Sequence, residues 1–168
     1  MTSRIHVHRR TIRRATPEDA ATVHALVLEI AAHEGNVEDV QATPQRWEAI
    51  LERDDVVVLL AERDRLVLGY TSAVRRLHLW SGGDILAVDD VYVRPGERSR
   101  GLGRELLASM ARYAAPERLL ITWGVEPEND RAQMFYARLG ATLRPKVLAG
   151  WTPTAYLPIM AERAEDPR

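Results

Sequence analysis

Apolar residues recur along the chain at two spacings, and each spacing marks one kind of element. Val23, Leu26, Val27 and Ile30 fall three and four apart, the stripe of an amphipathic helix. Ahead of them Thr16, Pro17, Glu18 and Asp19 supply an N-cap, a proline at the first helical position and an acidic first turn, and Gly35 suits the stop. Thr43 and Pro44 repeat the device before Trp47, Ile50 and Leu51, which predicts a second, short helix with the loop "GNVEDVQ" between the two. Leu102, Leu106 and Met110, with Leu107 beside them, predict a third helix ending before Pro116. "NDRAQMFYARLGA" predicts a fourth, stopped by Gly140.

Elsewhere the pattern is that of strands. "RTIRRAT" predicts a short edge strand. "DVVVLLAE", "LVLGYTSAVRRLHLW" and "DILAVDDVYV" are rich in β-branched residues and separated by the turn-like breaks "RDR" and "SGG", so three consecutive antiparallel strands are expected. "RLLITWGV" adds another, and "KVLAG" and "AYLPIM" two weaker ones. The order predicts a mixed α/β (α+β) fold: one twisted, mostly antiparallel sheet of six to seven strands flanked by about four helices.

Composition narrows the class. A chain of 168 residues, 46% of them hydrophobic, can bury one sizeable core, so a single domain over 1–168 is expected, with 1–10 and 162–168 as flexible ends. The formal net charge of -1 offers no basic surplus for nucleic acid. Cysteine is absent, which removes disulfides, thiolate metal sites and cysteine nucleophiles. No apolar run approaches the roughly 18 residues of a membrane span, and "MTSRIHVHRR" has no apolar signal-peptide region. A cytoplasmic location is the expectation. The five histidines have no ligand spacing, so no metal is expected.

Two features carry chemistry. After the strand ending at Val93, the residues Arg98, Ser99, Arg100, Gly101, Leu102 and Gly103 spell RxxGxG into a helix start, followed by Arg104. First-turn amides, the helix dipole and nearby arginines would together favour a pyrophosphate there. Taken alone, the same run serves equally well as a glycine-shaped turn with solvated arginines. It is neither GxGxxG nor GxxxxGK[ST], which weakens dinucleotide and ATPase readings. Asp89 and Asp90 are the second feature, because strict alternation would put them on opposite faces of a strand that is otherwise apolar on both sides. Each would then need a partner, a bound cation or a shifted pKa, although hydrogen bonds at a strand irregularity would also suffice.

With strand, RxxGxG and helix in this order, the sequence resembles the GNAT superfamily of acetyl-CoA-dependent N-acetyltransferases. "NDRAQMFYARLGA" is similar to that family's second signature, with Asn129, Ala132, Phe135, Tyr136 and Gly140 in place and Ala141 where an aromatic is usual. "RRATPEDAATVHALVLEIAAHE" with "VEDVQAT", "LWSGGDILAVDDVYV" and "WGVEPENDRAQMFY" resemble the spermidine/spermine (diamine) acetyltransferase branch, from about Ile12 to Tyr136. Asp89 stands there in place of a longer glutamate, and the turn at Trp80 is one residue longer.

The resemblance implies a GNAT fold, acetyl-CoA as acyl donor, no metal and a homodimer with the C-terminal strands and tryptophans at its interface. It implies that the backbone of Val91, Tyr92 and Val93 pairs with pantetheine, that Arg98 to Arg104 hold pyrophosphate and that Asn129 contacts the cofactor. Tyr136, which alone would pass for a core aromatic, becomes the acid that protonates the CoA thiolate. Glu34, Trp80, Asp89, Asp90 and Glu126 become the residues facing a small-molecule primary amine, such as a polyamine, diamine or amine-bearing antibiotic. The amine must lose a proton to attack, since with a pKa near 10 only about one molecule in a thousand is neutral at pH 7, and Asp89 or Asp90 can relay it. Two alternatives stay open: acetylation of a protein lysine or N-terminus, and a non-catalytic acyl-CoA sensor.

Overall fold

In a computed structural model, residues 10–164 are described. The expected flexible ends lie outside this range, except that residue 10 is included and 162–164 belong to a helix. The strands are β1 (Thr11–Arg14), β2 (Val56–Arg63), β3 (Leu66–His78), β4 (Gly83–Val93) and β5 (Leu120–Thr122). The α-helices are α1 (Ala20–Glu34), α2 (Pro44–Leu51), α3 (Leu102–Ala114), α4 (Asp130–Arg138) and α5 (Pro153–Ala164). Two compact units divide at Gly124, the first holding everything through β5 and the second α4 and α5.

In the first unit the five strands lie in sequence order, antiparallel from β1 to β4, with β5 parallel to β4. β2 is buried on both faces: Val56, Val58 and Leu60 face Val23 and Leu26 of α1, while Val57 and Leu59 face Met110 and Ala114 of α3. The helical stripes behave as their spacing requires, since Leu102, Leu106, Leu107 and Met110 are all buried. Helix starts follow the Thr-Pro device. Thr43 caps α2 by accepting from the Arg46 amide at 3.2 Å, and the Thr16 amide donates to Asp19 at 2.8 Å in the single 3-10 turn Pro17–Asp19 that precedes α1.

The sequence-based expectation fails in two places. Among the described residues the sheet has five strands rather than six to seven, because "KVLAG" forms no strand and "AYLPIM" lies within α5. Thr152 and Pro153 open this helix as the earlier Thr-Pro pairs do, with the Thr152 carbonyl accepting from Ala155 and Tyr156. Of the two segments assigned to interface strands, the second is therefore helical and the first irregular.

The second departure is in β4. Ser72 pairs with Asp90 and Ala73 with Val88, so Asp89 is an extra residue without a partner on β3, a β-bulge. Alternation resets there: Leu86 and Val88 before it, and Val91 after it, all pack on the α3 side, whereas Tyr92 packs on the α1 side. The two aspartates are therefore not on opposite faces.

Candidate active site

Both aspartates open onto the side of the sheet covered by α1 and α2. Asp89 and Asp90 line a cavity of ≈ 340 Å³ with Val27, Trp47, Ile50 and Ser72. An adjoining, more open depression of ≈ 530 Å³ shares Val27 and Asp90 and adds Glu34, Asn36, Asp39 and Gln41. The Ser72 hydroxyl donates to Asp90 Oδ2 at 2.8 Å, and the Thr71 hydroxyl donates to the Asp90 carbonyl at 2.7 Å. Asp89 is exposed at the rim, yet the protein around its carboxyl raises its pKa through desolvation, the charge of Asp90 adds to the rise, and Arg76 opposes it.

α1 is fastened to the far end of β4. Arg94 binds Glu29 through Nε at 3.0 Å and a terminal nitrogen at 2.6 Å, and it also donates to the Val67 carbonyl at 2.6 Å. The Tyr92 hydroxyl donates to the same Glu29 carboxylate at 3.2 Å. Hydrogen bonding to Arg94 holds the Glu29 carboxyl below its ordinary value. This tie holds α1, and with it Glu34, against the strand that carries the aspartates.

β5 pairs with β4 only at Ile85, Leu86 and Ala87. Among the described residues no strand pairs with the β4 edge away from β3 from Val88 to Val93, so that, the Val93 carbonyl apart, its backbone groups on that side have no ladder to join. The turn that follows leads into α3 through Ser99 and Gly101, both at positive φ (63° and 84°). No side chain caps α3, because Gly101 at the N-cap position has none to offer. Its first-turn amides thus keep the anion-binding capacity of an uncapped N-terminus. Arg98 folds back to donate to the Val93 carbonyl at 2.9 Å, and Arg100 lies 3.7 Å from Glu97. Arg10 braces the turn by donating to the Arg100 carbonyl and to Glu105. A strand edge without a ladder partner and an uncapped, arginine-flanked helix start can together take an extended, anionic ligand.

The GNAT acetyltransferase family model matches residues 23–141. The chain belongs to this family. It is an acetyl-CoA-dependent acetyltransferase. Among GNAT relatives, an uncharacterized N-acetyltransferase, YhfO, of Bacillus subtilis is 28% identical over 77% of this chain and 87% of its own. The aminoalkylphosphonate N-acetyltransferase of Salmonella typhimurium is 31% identical over 77% of this chain and 82% of its own. An aminoglycoside N-acetyltransferase solved in complex with CoA shares the fold, with a TM-score of 0.69 at 18% identity, covering 86% of this chain and 95% of that one.

Within the GNAT frame the remaining expected residues fall in different places. Trp80 is at the tip of the β3–β4 hairpin, 97% exposed, and does not line the acidic cavity. In the second unit Asn129 caps α4, accepting from the Ala132 amide at 3.0 Å, and Glu126 lends its carbonyl to Gln133. Tyr136 stacks at a tilt on Phe135, 5.3 Å between ring centroids, and burial pushes its phenol pKa up. Asn36, Asp39, Gln41 and Ser72 join the cavity without having been anticipated. For Ser72 a signal existed: a hydroxyl in an apolar strand that pairs with the strand carrying the acids.

Proposed function

We propose that this chain acetylates a primary amine of a small, multiply charged cation of the polyamine, diamine or aminoglycoside kind. The observation that carries this reading is the bulge at Asp89, which turns two successive carboxylates to one side of the sheet, where Glu34 and Asp39 complete an acidic cavity. Such a cavity selects a substrate with more than one ammonium group, since each charge needs its own counter-charge. Asp90, fixed by Ser72, is the anchor for an ammonium group. Asp89, its pKa raised by desolvation, takes the proton that the attacking nitrogen must lose.

When bound, acetyl-CoA supplies the thioester carbonyl that the amine attacks. The backbone of Val91 to Val93 holds the pantetheine arm along the open edge of β4, and Arg98, Arg100, Arg104 and the amides at the start of α3 hold the pyrophosphate. As the nitrogen–carbon bond forms and the carbon–sulfur bond breaks, the departing thiolate needs one proton. Tyr136 is the donor on this reading, supported by its place in the family motif and by a phenol that burial keeps protonated.

The test is CoA thiol release from acetyl-CoA with spermidine, putrescine, an aminoglycoside, an aminoalkylphosphonate and a lysine peptide. Turnover of the multiply charged amines is expected, with kcat lowered about 100-fold or more by Tyr136→Phe. Turnover of the lysine peptide alone would replace this reading with protein acetylation, and acetyl-CoA binding without any turnover would replace it with a sensor.

A further inference from the structure

Among the described residues, two buried side-chain polar atoms make no hydrogen bond: the Trp47 indole nitrogen and the Tyr70 hydroxyl. Both belong to the packing beneath the acidic cavity. Trp47 lines it beside Asp89 and Asp90. Tyr70 lies two residues before Ser72 on the same face of β3, in the cluster that packs under α1, with its ring 6.2 Å from that of Tyr92. A buried hydroxyl without a partner is costly, on the order of 1–3 kcal/mol. The two orphaned groups thus fall together, close to Asp89 and Asp90.

We infer that Tyr70 is a positioning residue for the acceptor amine, its hydroxyl closing onto Asp90 when the amine is bound so that Tyr70 and Ser72 clamp the carboxylate from two sides. The inference rests on the proposed amine site and adds to it a residue that touches neither substrate nor cofactor. Ser72 already holds Oδ2 of Asp90. Tyr70 is fully buried. Asp90 is near enough that, after desolvation, its charge and incipient hydrogen bonding are the next causes of the rise in the Tyr70 phenol pKa, yet the geometry falls short of a formed bond. A neutral hydroxyl is the suitable clamp, since it stabilises the ionised carboxylate without consuming the negative charge the ammonium needs. The other charged groups that line the cavity with Asp90 are Glu34 of α1, Asp39 of the following turn and Asp89 of β4, with Arg76 of β3 acting on Asp89, while α2 presents the uncharged Trp47 and Ile50.

Tyr70→Phe in the full chain keeps the ring and removes only the hydroxyl. Steady-state rates against amine and against acetyl-CoA give the test. An amine KM raised about tenfold with kcat and the KM for acetyl-CoA unchanged is expected, because Asp90 without its second donor is held less firmly where the ammonium meets it. Ser72→Ala moves the amine KM in the same direction. An unchanged amine KM, or a fall in kcat and a rise in both KM values together, would show the hydroxyl to have no positioning role and overturn the inference. Failure of Tyr70→Phe to fold would make the hydroxyl a structural tie and overturn it equally. If the unmodified protein turns over no amine, the proposed function itself falls; turnover left untouched by Tyr70→Phe sinks this inference alone.

Discussion

At the scale of single residues, the site depends on what β3 and β4 allow each other. Gly69 pairs with Val93, and a methyl at this glycine would overlap the Tyr92 carbonyl oxygen. Neither backbone can yield without parting the strands where the cofactor turn begins. Gly69→Ala is expected to cost about 1–3 kcal/mol, read as a lower denaturant midpoint with an unchanged slope. Asp89 carries a second prediction. Its pKa is raised, chiefly by desolvation and then by Asp90, and a bound ammonium reverses the influence of Asp90. Amine binding should therefore release protons at mildly acidic pH, measurable by calorimetry in buffers of different ionisation enthalpy, and Asp89→Asn should abolish most of that release. That Asp89 and Asp90 matter was legible in the sequence, because two acids in an apolar run demand an explanation. Their common side was not, because the period-two rule carries no information about an extra residue.

At the scale of elements, the Thr-Pro pairs set the helix starts. Thr16–Pro17 and Thr43–Pro44 were legible, and Thr152–Pro153 is the same signal in a segment whose apolar run suggests a strand. Pro158 inside α5 obscured it, since proline in mid-helix forfeits one backbone bond. Arg13 organises the N-terminal elements, binding Asp19 at 2.7 Å and Glu62 at 2.7 Å. Its hydrogen bonds bring the Asp19 carboxyl from 3.8 down to about 2. A folded-state pKa below the unfolded one contributes stability that is complete above the unfolded value and is lost as pH falls through the folded value. Tm should accordingly drop between about pH 4 and pH 2, and Arg13→Met should flatten that drop. Glu29, lowered by Arg94, adds to the loss in the same direction.

For the molecule as a whole, a net charge of -1 gives almost no long-range pull on a cation, so attraction must come from the local cluster of Glu34, Asp39, Asp89 and Asp90. Amine KM should rise with added salt, and more steeply for a triamine than for a monoamine, as initial rates from about 0.05 to 0.5 M salt will show. The antiparallel run of β2, β3 and β4, the helix after the arginine turn and the family motifs were all readable from pattern and spacing, whereas cavities depend on packing between distant segments. With residue 89 removed, Val88, Asp90, Val91 and Tyr92 would alternate without interruption, each on the side it already occupies. The acid pair is thus a one-residue addition laid over a strand that is complete without it. A chain lacking Asp89 should keep its fold and its donor-binding turn while losing its grip on multiply charged amines, so specificity can be edited here independently of the scaffold.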